Sequence, residues 1–425
     1  MKPYLRAGVA GLSLFALLAL AGCAGGAPTA GLVRAEGVTA RVVPVADAAA
    51  LPNVVDATRR VGAATLGLAD RDGNTVVSPS SLMMALAMLT EGARGDTLVA
   101  LEELFGAAGE DRRDAIAALR GALLELDGDP ATATAAEPPE RPLVHLANQV
   151  VVDDGFDASE EYLRALADVF DAGVQHADLG SQAGEKVLSD WVRHHSGGLI
   201  PKTAIQPNPD LRLVLQDAIL LAAAWHIPFD PAGTSPRPFT LADGSGVEAE
   251  SMFAMMRLAY AEVEGWRAVR LPYVEALHSD VLLPPEGTDP ADASPDLLAK
   301  ASLALDGAEP ALVHLTLPTL DLGPDTVDLM GILPAIGAPV LCEDGPDLSG
   351  IGPGELCVLQ AAQQAVLRVD EAGTVAAAVT EVGVGETSAP VVQQELAFDR
   401  PYLFTVSHTS TAWPLFLAAV RDPRH

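Results

Sequence analysis

The chain has 425 residues and carries 57 acids against 26 bases, a net charge of −31. That balance repels nucleic acid and anionic lipid and argues against both as partners; most of it reads as a solvated acidic surface. Length alone allows two or three domains, but no Pro/Gly-rich linker splits the chain cleanly, so one large domain is also allowed.

Residues 1–22 read as an export signal. "MKPYLRAGVAGLSLFALLALAGC" has a basic start at Lys2 and Arg6, then an apolar run from Val9 to Ala21 that is too short for an ordinary membrane span. Its end, Leu20-Ala21-Gly22-Cys23, resembles the bacterial lipoprotein signal, in which Cys23 becomes the new N-terminus and is diacylated on sulfur. The expected localisation is therefore export, with lipid anchoring to the bacterial cell envelope or plain secretion, and membrane contact only through Cys23. Residues 23–48 are small and Gly-rich and read as a flexible tether. The folded body is expected over 49–425.

Apolar residues at helical spacing predict helices at 50–69, twice within 78–106 with a break at Gly92 and Gly95, and at 113–128, 159–170 and 183–198. Ser78 before Pro79 is a helix cap. The Pro/Ala/acid stretch "DGDPATATAAEPPERP" at 127–142 reads as a surface loop. Strand-like runs occupy 143–155, 211–225, 268–284, 311–322 and 357–373, several of them long for globular strands. Helices early and long apolar strands late imply an α+β protein with a large, central mixed sheet covered by helices. Beyond Cys23 the cysteines are Cys342 and Cys357; outside the cytoplasm they can pair, but the sequence does not say whether their Cβ atoms meet.

Signals for an enzyme are thin. His194 and His195 are adjacent, so they point to different faces of a helix without the i, i+4 spacing of paired zinc ligands, and they read as surface histidines. No metal and no cofactor is expected. "GIGPG" at 350–354 puts Pro353 where a phosphate cradle wants an N–H. There is no G-x-S-x-G elbow, and the Arg-Gly-Asp in "ARGDT" at 93–97 is a tripeptide that chance supplies. A hydrolase needs a nucleophile, a base and an orienting acid, and no such constellation is recognisable.

What stands out is a set of blocks in order. "NTVVSPSSLMMALAMLTEGARGDT" (74–97), "DAILLAAAWHIPFDP" (217–231), "RPFTLADGSGVEAESM" (237–252), "VRLPYVEALHSDVLLPPEG" (269–287), "VHLTLPTLDL" (313–322), "DLSGIG" (347–352) and "FDRPYLFTVSHTSTAWPLFLAAVRDP" (398–423) run collinearly over about residues 50–423. Together they resemble the serpin family of protease inhibitors. The resemblance implies one domain with the serpin fold: a large central mixed β-sheet, two smaller sheets, about eight to nine helices and an exposed reactive loop over about 371–393. It implies a monomer that is no enzyme but an inhibitor of serine-type endopeptidases. A target protease attacks the loop with its own Ser-His-Asp chemistry, and the cleaved loop then enters the central sheet as a new strand before water releases the acyl-enzyme. The alternative is a non-inhibitory, surface-anchored binding protein with the same fold.

"DEAGTVAAAVT" (370–380) resembles the family's hinge, which assigns Glu371, Gly373, Thr374, Ala376, Ala377, Ala378 and Thr380 to it. In an entering strand side chains alternate, so Thr374, Ala376, Ala378, Thr380, Val382 and Val384 share one uncharged face while Glu381 falls on the other. Gly373 is expected to give the turn its freedom. The small, uncharged hinge favours inhibition over the passive alternative. Counting from Glu371 as the family does puts the scissile bond at Thr387-Ser388, with Glu386, Ser388 and Ala389 as other candidates. A small β-branched Thr387 suggests elastase-like or subtilisin-like targets. Trp225 resembles the family's breach tryptophan, and Ser78 and Ser81 its shutter serines. Where the family commonly has Asn and His in the shutter, Asp217 and Gln363 stand here, and Asp217 accepting from the Gln amide or a serine hydroxyl is expected to rebuild the polar network.

Overall fold

The computed structural model describes residue 35 and residues 37–135, 138–374 and 393–424. The export signal, Cys23 and the loop residues Ala376, Ala377, Ala378, Thr380, Thr387 and Ser388 lie outside the described residues.

In chain order the elements are α1 Leu51–Leu68, β1 Thr75–Val77, α2 Pro79–Gly92, α3 Gly95–Phe105, α4 Gly109–Leu124, β2 Leu143–Asp153, α5 Glu160–Phe170, β3 Gly173–Ala177, α6 Gln182–His195 and β4 Leu213–Ala224. There follow β5 Ser235–Thr240, β6 Gly246–Val263, β7 Trp266–Pro272, β8 Leu277–Leu283, α7 Pro295–Asp306, β9 Ala311–Pro318, β10 Leu320–Asp328 and α8 Ile332–Ala335. The last are β11 Ala362–Val369, β12 Gly373–Thr374, β13 Gln394–Ala397, β14 Tyr402–His408 and β15 Trp413–Val420.

Two sheets organise them. The central one is mixed, in the order β10-β11-β12-β4-β2-β3, with β2 parallel to β3 and antiparallel to β4. The other runs β1-β15-β14-β8-β7-β6-β9-β13, with β5 against β6. The two smaller sheets implied by the resemblance are joined here by one strand: Ser251 to Leu258 of β6 pair with β9, and Ala259 to Val263 pair with β7. This arrangement, a mixed central sheet beside a second large sheet, agrees with the fold that the resemblance implies. The apolar helix α2 buries Met83, Met84, Leu86, Ala87 and Met88 behind the central sheet. Its start is the expected one, with Ser78 Oγ accepting from the Ser81 N–H and Pro79 opening the helix.

Several expectations need correction. The runs at 268–284 and 311–322 are each two strands, because an apolar run continues through a turn that composition does not mark; in the first, Ala276 takes a left-handed φ of 55°. The run at 357–373 starts late, at Ala362, since Cys357 is bonded to Cys342. The loop at 127–142 is partly interior: Pro130 and Ala133 are buried, and Ala133 packs with Leu143, Leu220 and Ala222. The tether ends earlier than residue 48. Arg41 donates from its backbone to Asp168 O (2.8 Å) and pairs through its guanidinium with Asp168, Glu110 and Asp114, so one long cation docks the chain before the first helix.

Candidate functional site

Among the described residues the central sheet is incompletely closed. β4 is paired with β2 from Leu213 to Ala222, but on its other edge, among the described residues, only Ala223 and Ala224 have partners, in β12. β11 is paired along one edge with β10, and on its other edge Val369 meets Thr374. Between the two remaining edges lies a cavity of about 270 Å³, lined by Leu215 and Asp217 of β4, Gln363 and Ala365 of β11, and Ser81 and Leu82 of α2.

The start of the hinge is already in this gap, and a dense set of hydrogen bonds holds it there. Asp370 Oδ1 accepts from the N–H groups of Ala372 (2.9 Å) and Gly373 (3.1 Å), which folds the chain into a tight turn. Trp225 fixes that turn twice: its Nε1–H donates to Asp370 O and its backbone N–H to Ala372 O, both at 2.9 Å. Phe229 N–H donates to Glu371 O (2.8 Å), and the Thr234 hydroxyl donates to Glu371 Oε1. Thr374 is buried and shares a hydrogen bond with the Tyr273 hydroxyl, which is also bonded to Ser279 Oγ at 2.8 Å. The Tyr273 ring stacks on Trp225, with centroids 4.4 Å apart. Burial pushes the Tyr273 phenol above its usual range, so it stays a hydrogen-bonding neutral group.

Gly373 has a different role from the one expected. Its φ is not in the left-handed region. A Cβ there would lie 2.1 Å from Ala223 O and 2.8 Å from Ala224 Cα, so the glycine is required by close approach of the hinge backbone to β4, not by turn freedom.

The shutter residues are brought to one end of α2, but not as one network. The Gln363 amide brackets Ser78: Oε1 accepts from Ser78 N–H (2.9 Å) and Nε2 donates to Ser78 O (2.7 Å). The Ser78 hydroxyl donates to Leu415 O at 2.8 Å. Asp217 takes no part in this bracket and, contrary to one arm of the expectation, does not bond the Gln363 amide; of the serines only Ser81 acts on it. Both of its carboxylate oxygens are buried without a hydrogen-bond partner. Burial pushes its pKa up to about 8, and the Ser81 hydroxyl, near but outside hydrogen-bond geometry, opposes this weakly. An acceptor-only group cannot bracket a backbone N–H and C=O as an amide does.

Four contributors were not foreseen: Tyr273, Ser279, Thr234 and Asp370. Asp370 had a readable signal, an Asp three residues before a Gly; the other three come from distant hairpins. The adjacent histidines also differ from expectation. His195 is half-buried, its Nδ1 lies 2.8 Å from His145 Nε2, and His145 Nδ1 lies 2.6 Å from Asp127 Oδ1. Burial and the neighbouring His145 and His194 push the His195 pKa down to about 3.

A family model described as "Serpin (serine protease inhibitor)" matches residues 63–423. Iripin-8 of Ixodes ricinus is 31% identical over 365 residues, which cover 82% of this chain and 87% of that protein. The leukocyte elastase inhibitor of Bos taurus is 26% identical over 369 residues, 83% of this chain and 93% of that one. The solved structure of a thermophilic serpin, tengpin, in its native state matches with a TM-score of 0.77 at 23% identity, over 92% of this chain and 97% of that one, a likeness of fold.

Proposed function

Because the chain belongs to the serpin family, we propose that it is a suicide-substrate inhibitor of serine proteases that traps the acyl-enzyme by inserting its cleaved loop between β4 and β11. The observation that carries this reading is β12: the first hinge residues are already paired between two strands whose remaining facing edges have no partner among the described residues.

Carried on in the same register, residues 375–384 of a cleaved loop lie along β4 from Ala222 to Leu213, and residue 380 stands opposite Asp217 on one side and Gln363 on the other. Thr374 is buried, and with a period of two Ala376, Ala378, Thr380, Val382 and Val384 follow it onto the face toward α2. Small or β-branched, uncharged side chains suit that face. Glu381 goes to the opposite face, the one on which Gln216 donates to Leu188 O of α6. No buried charge is added on the α2 side, where Asp217 already lies.

In the covalent step the protease serine Oγ attacks the Thr387 carbonyl carbon. The Thr387-Ser388 peptide bond breaks, an ester forms, and the proton taken from the serine goes to the leaving Ser388 amine. Insertion then moves the ester-linked protease away from the geometry it needs to activate water. The leukocyte elastase inhibitor among the relatives supports elastase-like targets, as does the small Thr387; subtilisin-like proteases share that preference. We further infer an exported monomer tethered to the bacterial cell envelope through acylated Cys23, which the apolar run and Leu20-Ala21-Gly22-Cys23 support.

Mixing the protein with elastase-like and subtilisin-like proteases should yield an SDS-resistant complex and a released C-terminal peptide that begins at Ser388. Cleavage by every protease without a complex, or no cleavage at all, rejects the inhibitor reading. Labelled fatty acid should enter the exported protein and be lost in Cys23→Ala.

A further inference from the structure

Asp217 is the charged residue of β4 that loop insertion leaves without a task. Its register partner across the ladder is Asn148 of β2, whose Oδ1 is also buried and also lacks a partner. Directly opposed residues of an antiparallel pair project from the same face with Cβ atoms about 4.5–5.5 Å apart, close enough for their side chains to share one hydrogen bond. Three acceptor oxygens, Asp217 Oδ1 and Oδ2 and Asn148 Oδ1, are thus buried at facing positions without a donor in hydrogen-bond geometry, the Ser81 hydroxyl being near Asp217 but outside it. A single proton removes both faults: it neutralises the buried charge and supplies the missing donor.

We propose that Asp217 is a proton-linked gate of the central sheet: in the closed sheet it is a neutral acid whose O–H donates to Asn148 Oδ1, and widening of the cavity between β4 and β11 lets water ionise it. The geometry stands behind this. Asp217 lines the cavity on the face toward α2, so the movement that separates β4 from β11 is the one that brings water to it.

The charged residues Asp210, Arg212 and Glu355 also line the cavity, all outside β4, β11 and α2, but burial and the Ser81 hydroxyl are what shift Asp217. On α2 the one charged residue is Glu91, at the far end and engaged by Arg112 and Arg113. On β2, His145 and Asp153 alternate onto the opposite face from Asn148. On β11 the one charge is Arg368, five residues from Gln363 and paired with Asp321. β15, which contributes Phe416 to the cavity wall, has no charged residue. The facing groups from α2 and β11 are Ser78, Ser81 and Gln363, none of which titrates.

The direction of the pH effect follows. A carboxyl held near pH 8 when closed and near about 4 when solvated releases a proton on opening. Raising the pH therefore favours opening, by up to about tenfold per unit between those limits, and has no effect above them. The consequence for inhibition rests on the insertion reading, since opening is the step that insertion uses.

The experiment has two arms. Infrared spectra of the whole native protein, minus those of Asp217→Asn, should show a protonated carboxyl C=O band at about pH 6 that titrates away with a midpoint near 8. In Asn148→Ala, which keeps the carboxyl but removes its acceptor, that midpoint should fall. Absence of the acid band at about pH 6 overturns the proposal and means that Asn148 turns its Nδ2–H toward an ionised Asp217. In the second arm the probe is a synthetic peptide of sequence GTVAAAVTEVGV, residues 373–384. Its rate of annealing should climb with pH in the native protein and be flat in Asp217→Asn. Identical pH profiles overturn the gate. A peptide that binds at no pH rejects the insertion reading instead, and the infrared arm then decides the gate alone.

Discussion

Gly373→Ala tests the hinge most sharply, because the added atom has nowhere to go. Its Cβ would sit 2.1 Å from Ala223 O and 2.8 Å from Ala224 Cα. Both are backbone atoms of β4, and that strand is hydrogen-bonded to β2 just below, with Ala222 opposite Leu143, so β4 cannot recede without breaking a second ladder. The hinge must leave instead. Its departure forfeits Trp225 N–H to Ala372 O, Gly373 N–H to Asp370 Oδ1, Asp370 N–H to Gly373 O, and the Tyr273 bond to Thr374. At about 0.5–1.5 kcal/mol net each, the native state loses about 2–6 kcal/mol. Thermal unfolding should shift down by several degrees, and elastase-like proteases should cleave the variant without forming the SDS-resistant complex, since the first inserted residue no longer fits. A variant with an unchanged midpoint and a full yield of complex would refute both the close-approach argument and the order of insertion.

Tyr273→Phe keeps the stack on Trp225 but strands the buried hydroxyls of Thr374 and Ser279; a loss of about 1–3 kcal/mol in urea unfolding is expected. Gln363→Ala leaves Ser78 N–H buried and unpaired, while Ser78 O keeps the Leu82 N–H; this should cost about 1–3 kcal/mol and loosen the start of α2, read as faster amide exchange there. Replacing Cys342 and Cys357 together by Ser opens a loop with a sequence separation of 15, and should lower stability by up to about 3 kcal/mol with little change in complex yield. Acid should also destabilise the fold. His195 and His408 titrate at about 3 and about 4 when folded but at about 6.5 when unfolded. The unfolded chain therefore binds more protons in that window, and stability present above it is lost as the pH falls, by up to about 1.4 kcal/mol per unit for each histidine. His195→Gln should flatten the urea midpoint between about pH 6.5 and 5.

How much of this was readable from sequence depends on the range of the interaction concerned. Helix α2 was legible because its signals are local: the Ser78 cap, Pro79 at the first turn, and an apolar stripe. The hinge face was legible because alternation is local too, and Thr374, the one described residue of that face, is buried as the pattern requires. What failed were boundaries inside apolar runs, where a turn such as that at Ala276 is made by unremarkable residues. Arg41 failed for the opposite reason: an arginine in a Gly-rich stretch gives no local sign that three acids from α4 and α5 await it.

The site shows the same division in sharper form. The family resemblance placed Asp217 and Gln363 as polar replacements in the shutter, and complementarity suggested that the acid accepts from the amide or from a serine hydroxyl. Geometry separates them. Gln363 has a donor and an acceptor on one planar group, and the Ser78 backbone presents the complementary pair, so the amide is fully used at the helix start. Asp217 is then left without a donor in hydrogen-bond geometry, and its register neighbour Asn148 has a buried acceptor that is also unpartnered. Complementarity of types was visible in the sequence, but its satisfaction depends on which groups are already occupied. The residue left over by that competition is the one placed to make opening of this sheet depend on a proton.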